Sequence, residues 1–254
     1  MVQKPENPED WMKPFDFKQF TVHQDRCAMK IGTDGVLLGA WTPLENQPDS
    51  ILDIGAGTGV VALMLAQRST ADTIDAVEVN GNAFEQCVEN FEASPWADRL
   101  FCYHASFQEF FEDLNDDETR MDETYDLIVS NPPFYSEAIS SGTLSRGQAR
   151  QNGALPFEVL FKGVTKLLSK NGTFCLIIPK REEEQVILLA KDHSLAPARI
   201  LRVRGNPSSP IKRSLMEFSF SEKPILETEL TIEKQRHQYT EEYICLTQEF
   251  YLKM

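Results

Sequence analysis

The chain has 254 residues, 41% apolar and 10% aromatic, which is enough for one sizeable core and unlike a disordered composition. Its net charge of −14 excludes a broadly basic nucleic-acid grip, and no apolar run approaches the roughly 20 residues a membrane-spanning helix needs. Five scattered cysteines (Cys27, Cys87, Cys102, Cys175, Cys245) with no C-x-x-C point to a reducing cytosol rather than to disulfides or zinc, and the four histidines lack metal-ligand spacing.

In chain order, the polar, proline-rich stretch 1–16 reads as a flexible arm, leaving 17–254 as a single domain. "SILDIGAGTG" (50–59) is a short strand entering a glycine-rich turn, and "VVALMLAQRS" continues it as a helix. "DTIDAVEVN" is the next strand, "NAFEQCVENFEAS" a helix, "LFCYHAS" a strand and "FQEFFEDL" a helix. An acidic stretch, "EDLNDDETRMDETYD", precedes the strand "YDLIVS". A helix over "FEVLFKGVTKLLSKNG", stopped by its glycine, then leads to the strand "TFCLIIP". Alternation of this kind predicts an α/β fold, a parallel sheet covered on both faces. "ARILRVRG" and "SLMEFSFSEK", separated by a Pro/Ser turn, are expected to pair antiparallel. The basic residues cluster late in the chain, at Lys180 and Arg181, at Arg199, Arg202 and Arg204, and at Lys212 and Arg213. They leave room for a local basic rim on an acidic molecule.

Two stretches carry chemistry. In "DIGAGTG", Gly55, Gly57 and Gly59 allow a tight turn and a close ligand approach at the start of a helix, whose first N–H groups are free. Glu78 ends the next strand, where a doubly wound sheet places an acceptor for ribose hydroxyls. A dinucleotide site normally shows G-x-G-x-x-G, whereas here the third glycine arrives early and Asp53 precedes the turn. A carboxylate there suits a ligand with an ammonium group and no phosphate, which favours S-adenosylmethionine.

The second stretch is Asn131-Pro132-Pro133-Phe134, at the end of the fourth strand and beside the topological switch point. The Asn131 side-chain oxygen and the Pro132 carbonyl make an acceptor pair for the two hydrogens of an exocyclic amine. They would hold its lone pair toward an electrophilic methyl. The prolines stiffen the loop, and Phe134 offers a face on which a base can stack.

Together the two motifs resemble the class I S-adenosylmethionine-dependent methyltransferases, in the amino-group branch with an N-P-P-[YF] tetrad. "FKQFTVHQDRCAMKIGTDGVLLGAW", "SPWADRL" and "LTQEFYL" narrow the resemblance to the bacterial tRNA1(Val) adenine-37 N6-methyltransferase family, across most of residues 17–252. The resemblance implies a Rossmann-like seven-stranded sheet, mostly parallel with an antiparallel last strand. It implies S-adenosylmethionine as cofactor and the anticodon loop of tRNA as partner, with no metal and no membrane. Gly55, Gly57, Gly59 and Asp53 would then line the methionine and ribose end. Glu78 would bind the ribose, Val79 would pack on the cofactor adenine, and Thr33 would close the site. Asn131, Pro132, Pro133 and Phe134 would hold the target base. Where the family has an aspartate for the adenine amine this chain has Ser106, a weaker acceptor, so backbone contacts at Phe107 would carry more. The long polar segment 140–153 is expected to act as a substrate lid, its Arg146 and Arg150 meeting phosphates. Related tetrad enzymes that act on a release-factor glutamine or on guanine N2 of ribosomal RNA are the alternative. A nicotinamide oxidoreductase lacks a catalytic constellation in this sequence.

Overall fold

The computed structural model describes residues 13–116, 124–133 and 155–254. The arm's residues 1–12, together with Phe134, Arg146 and Arg150, lie outside the described residues.

The chain enters through a small antiparallel pair, β1 (Phe15–Asp16) and β2 (Thr21–Val22), followed by α1 (Thr33–Trp41). A strand–helix alternation follows: β3 (Ser50–Ile54), α2 (Val60–Arg68), β4 (Thr73–Glu78), α3 (Gly81–Glu92), β5 (Leu100–His104), α4 (Phe107–Asp116) and β6 (Tyr125–Ser130). The second half holds α5 (Phe157–Leu167), β7 (Leu168–Pro179), α6 (Glu183–Asp192), β8 (Ala196–Arg204) and β9 (Arg213–Ser219). It closes with β10 (Leu226–Thr231), the short pair β11 (Glu233–Gln235) and β12 (Gln238–Tyr239), and α7 (Glu241–Thr247).

The central sheet runs β10-β8-β9-β7-β6-β3-β4-β5. Its first six strands in chain order are parallel, and the seventh, β9, lies antiparallel between β7 and β8. The expected mostly parallel sheet with a reversed seventh strand is therefore present, and the two late extended segments pair as anticipated. An eighth strand extends it: β10 adds parallel to β8, with Leu226 opposite Arg199.

Both faces are covered. One apolar layer joins α1, α2, α3 and α7 to the sheet, with Leu38, Leu63, Phe91 and Phe250 buried. The other joins α4, α5 and α6, with Phe111, Phe161, Phe174 and Phe218 buried. Helices on both sides favour apolar residues on both faces of the inner strands, which is why Leu127-Ile128-Val129 is unbroken. In the second layer α4 and α5 touch at Gly163, where an added Cβ would sit 2.4 Å from a Phe107 ring carbon.

One boundary differs from expectation. The helix over "FEVLFKGVTKLLSKNG" ends at Leu167, five residues before its glycine. Leu168 already pairs with Tyr125, and the next matched pair is Leu127 with Thr173, so residues 169–172 form a bulge. Gly172 serves that bulge: a Cβ there would lie 2.7 Å from the Leu168 side chain.

Candidate active site

The carboxyl edge of the sheet is where parallel strands deliver their loops. Strand order reverses about β3, leaving a crevice between the loops after β3 and β6. Ser130 Oγ donates to the Ile54 carbonyl at 2.9 Å, tying the ends of those two strands together. The glycine turn that starts at Gly55 and the tetrad that starts at Asn131 are thus neighbours.

The turn is built on positive φ: 75° at Gly55, 57° at Gly57 and 79° at Gly59. Side-chain-bearing residues rarely adopt such angles, so glycine is required three times. The reasons differ in space. A Cβ at Gly55 or Gly57 would meet nothing within 4 Å, so the turn faces an opening. At Gly59 it would lie 2.6 Å from a Phe91 ring carbon, so that glycine lets α2 pack on α3. The Val77 carbonyl accepts from Gly55 and Ala56 N–H and fixes the turn to β4.

Glu78 reaches under this turn. One carboxylate oxygen accepts from Gly57 N–H at 2.9 Å and the other from Asn80 N–H at 2.8 Å. A carboxylate has about four acceptor positions, so two hydroxyls can still be accommodated. Val79 follows with 46% of its surface exposed, an apolar side chain left beside the opening. Asp53 lies deeper, 1% exposed, its Oδ2 accepting from Ala62 N–H at 3.2 Å. Burial pushes its carboxyl up to about 7; the Ala62 N–H opposes that shift and the nearby Glu78 charge adds to it.

Ser106 has a structural task that sequence reasoning missed. Glu109 N–H donates to its Oγ at 3.2 Å, and Ser106 N–H donates to a Glu109 carboxylate oxygen at 2.9 Å. This is a reciprocal cap on α4, and "SFQE" was its signal. The Ser106 contacts hold the Glu109 carboxyl below its usual range. The Phe107 side chain is core, against Phe111. Its backbone opens α4 as the first residue of that helix.

In the tetrad Asn131 is partly buried, Pro132 buried and Pro133 exposed. The first turn of α1 comes against it. A Cβ on Gly35 would be 3.3 Å from Val60 Cγ1, a tight contact, and 3.8 Å from Asn131 Nδ2, so the glycine lets the helix sit close to both. The Asn131 amide nitrogen lies within 4 Å of a Cβ built on Gly35, so the side chain of the tetrad's first residue reaches the first turn of α1. Thr33 is the first residue of α1, and Asp34 accepts from Arg213 Nε of β9 at 2.8 Å. Asp34 and Gly35 went unremarked in the sequence because neither carries a motif of its own.

Asn90 joins the parts. Its Nδ2 donates to the carbonyls of Thr58 and His23, each at 2.9 Å, and its Oδ1 accepts from His23 N–H at 2.8 Å. The N-terminal segment, the glycine turn and α3 thus share one buried amide. A surface cavity of about 330 Å³ opens elsewhere, at the amino edge, lined by Pro43, Asp126, Lys170 and Lys223 among others. It is remote from this chemistry. Among the described residues no group of side chains could hold a metal ion, and no helix is long and apolar enough to cross a membrane.

Comparison with known proteins places these features in a lineage. Residues 35–191 match the family model described as methyltransferase small domain. A protein of Christiangramia forsetii named tRNA1(Val) (adenine(37)-N6)-methyltransferase is 58% identical over 95% of this chain and 99% of its own length. Proteins of the same name from Flavobacterium johnsoniae and Bacteroides fragilis are 56% and 47% identical, over 94% of this chain and 100% and 98% of theirs. Among solved structures, a predicted O-methyltransferase from Agrobacterium tumefaciens shares the fold, with a TM-score of 0.64 at 18% identity over 85% of this chain and 96% of that one. The glycine turn, the tetrad and identity over nearly the full length converge: the chain belongs to the tRNA1(Val) (adenine(37)-N6)-methyltransferase family.

Proposed function

We propose that this protein transfers a methyl group from S-adenosylmethionine to the exocyclic N6 amine of adenine 37 in the anticodon loop of tRNA1(Val). The observation that carries the reading is the Ser130–Ile54 hydrogen bond, which holds the amine-binding tetrad beside the glycine turn. The names of the relatives support the acceptor.

The residues present fit this cofactor. The opening in front of Gly55 and Gly57 leaves room for its chain, Glu78 keeps acceptor capacity for ribose hydroxyls, and Val79 offers an apolar face for adenine. In this reading the buried Asp53 carboxyl would face the cationic end, and Thr33, the first residue of α1, would close the site. Ser106, engaged in the helix cap, and the Phe107 N–H would meet the adenine edge. When bound, S-adenosylmethionine supplies an electrophilic methyl on a sulfonium. The protein's part is orientation. Asn131 Oδ1 and the Pro132 carbonyl accept the two amine hydrogens, which raises electron density on nitrogen and aims its lone pair along the line of displacement. Held so, the amine nitrogen would be aligned to accept the methyl, and its excess proton would leave to solvent. Phe134 stacking on the base, and Arg146 and Arg150 meeting phosphates, rest on sequence alone. Residues 17–254 act as one domain in this reading.

The test is mass spectrometry of nucleosides from unmodified tRNA1(Val) incubated with protein and cofactor, with release factor and ribosomal RNA as parallel acceptors. N6-methyladenosine at position 37 is expected. Methyl found only on a glutamine amide or on guanine N2 would overturn the acceptor. Asn131→Ala is expected to lower the rate by about 100-fold or more, as loss of a preorganised polar contact does. S-adenosylhomocysteine binding by calorimetry should persist in that variant.

A further inference from the structure

We propose that the β8–β9 loop, residues 205–212, is a docking arm for the phosphates of the RNA that carries the target base, with Lys212 as its principal contact. The proposal rests on the tRNA reading above. Its starting point is the reversed strand. Because β9 runs antiparallel, its first residue rather than its last lies at the carboxyl edge, where the site is. The register sets Arg213 opposite Pro179 of β7 and Val203 of β8. Lys180 N–H donates to the Lys212 carbonyl at 3.0 Å, and Lys212 N–H donates to the Val203 carbonyl at 2.8 Å. Basic residues from three strand ends, Lys180 with Arg181, Arg204, and Lys212 with Arg213, therefore meet at one corner.

That corner is attached to the site. β9 is two strands from β6, about 10 Å at the usual strand spacing. Arg213 grips Asp34, and the next residue, Gly35, abuts the Asn131 amide. From Arg204 to Arg213 the sequence has three cations and no acid, in a chain of net charge −14. A polyanion repelled by most of this surface would be oriented by such a spot.

The cations there do different things. Lys180 pairs with Glu183 at 3.0 Å, Arg204 with Glu229, and Arg213 with Asp34, so these hold the corner together. Lys212 is exposed, and among the described residues no carboxylate pairs with it. The loop is also stiff. Asn206 Oδ1 accepts from Ser208 N–H at 3.0 Å, and Ser209 Oγ accepts from Asn206 N–H at 3.0 Å while donating to its carbonyl at 2.9 Å. Pro207 and Pro210 fix two further φ angles. A preordered loop loses little entropy on binding, so one lysine and the Ser208 hydroxyl can be effective.

The experiment compares wild type, Lys212→Glu and Lys212→Arg on unmodified tRNA1(Val) at several potassium chloride concentrations. Lys212→Glu is expected to raise KM for tRNA about tenfold and to flatten the dependence of log affinity on log salt by about one. Its kcat at saturating tRNA and its binding of S-adenosylhomocysteine should stay at wild-type values, and Lys212→Arg should retain the wild-type KM. An unchanged KM and salt slope in Lys212→Glu, with wild type active on tRNA, would overturn the docking arm alone. Wild type that methylates no tRNA would overturn the acceptor reading and this proposal with it.

Discussion

Asp53 is the residue whose chemistry depends most on where the fold puts it. Its carboxyl is pushed up to about 7, chiefly by burial and further by Glu78, against the pull of the Ala62 N–H. In the unfolded chain it ionises near 3.8. Between those values the native state holds a proton that the unfolded state has lost, so stability is full below about 4 and declines as pH rises toward 7. Asp53→Asn keeps an acceptor for Ala62 N–H and removes the titration. The variant is therefore expected to gain Tm relative to wild type progressively from pH 4 to about 7 and no further, read by calorimetry across that range. A Tm difference constant with pH would show that Asp53 ionises normally. The sequence placed Asp53 before the turn correctly but could not reveal its depth, because depth is set by α2 folding over β3. Ser106 is the converse: its local signal, a serine three residues before a glutamate, was legible, yet a comparison of residue types assigned it to the cofactor. The structure assigns its oxygen first to the helix cap.

At the scale of elements, the glycine turn and the tetrad were legible because their composition is forced by backbone geometry and strand ends. α1 was not. Six of its nine residues are buried, and it holds two glycines, so it shows neither an amphipathic stripe nor strong helix propensity. Its place is decided by tertiary packing, at Gly35 against Asn131 and at Gly39, where a Cβ would lie 2.8 Å from the Met64 sulfur. Asn90 supplies a second tertiary constraint, since it bonds both the segment that leads into α1 and the Thr58 carbonyl in the glycine turn. Asn90→Ala leaves the buried Thr58 carbonyl and the part-buried His23 N–H and carbonyl without this partner, at about 1–3 kcal/mol for each that water cannot reach. A drop in unfolding free energy of about 2–4 kcal/mol by urea titration is expected, on the same per-group costs. S-adenosylhomocysteine affinity should also weaken, because the turn loses its tether. Wild-type stability in this variant would mean that the amide holds nothing together.

Across the whole molecule, alternation of strand and helix announced the doubly wound architecture, whereas the eighth strand was invisible. β10 is an edge strand exposed along four of its six residues, "LETE", so no buried face imprinted a period on it. The two ends of the chain make a further long-range feature that no local pattern encodes. Phe17 bridges to Tyr251, Lys18 N–H donates to the Phe250 carbonyl at 2.8 Å, and Phe15, Phe17 and Tyr251 pack ring against ring. Phe250 lies beneath them, 1% exposed, in the layer that also holds α1, α2 and α3. Since the N-terminal segment runs directly into Thr33 and Gly35, the closing residues support the site from a distance. Phe250→Ala removes a fully buried ring and is expected to cost about 3–5 kcal/mol. The loss should be unequal across the sheet. Hydrogen exchange is expected to quicken at residues 15–31 and at α7, while amides of α5 and α6, which pack on the opposite face, stay protected until global unfolding. Uniform acceleration over both faces would show instead that the two layers open as one unit and that the chain ends carry no separate hold on the N-terminal segment.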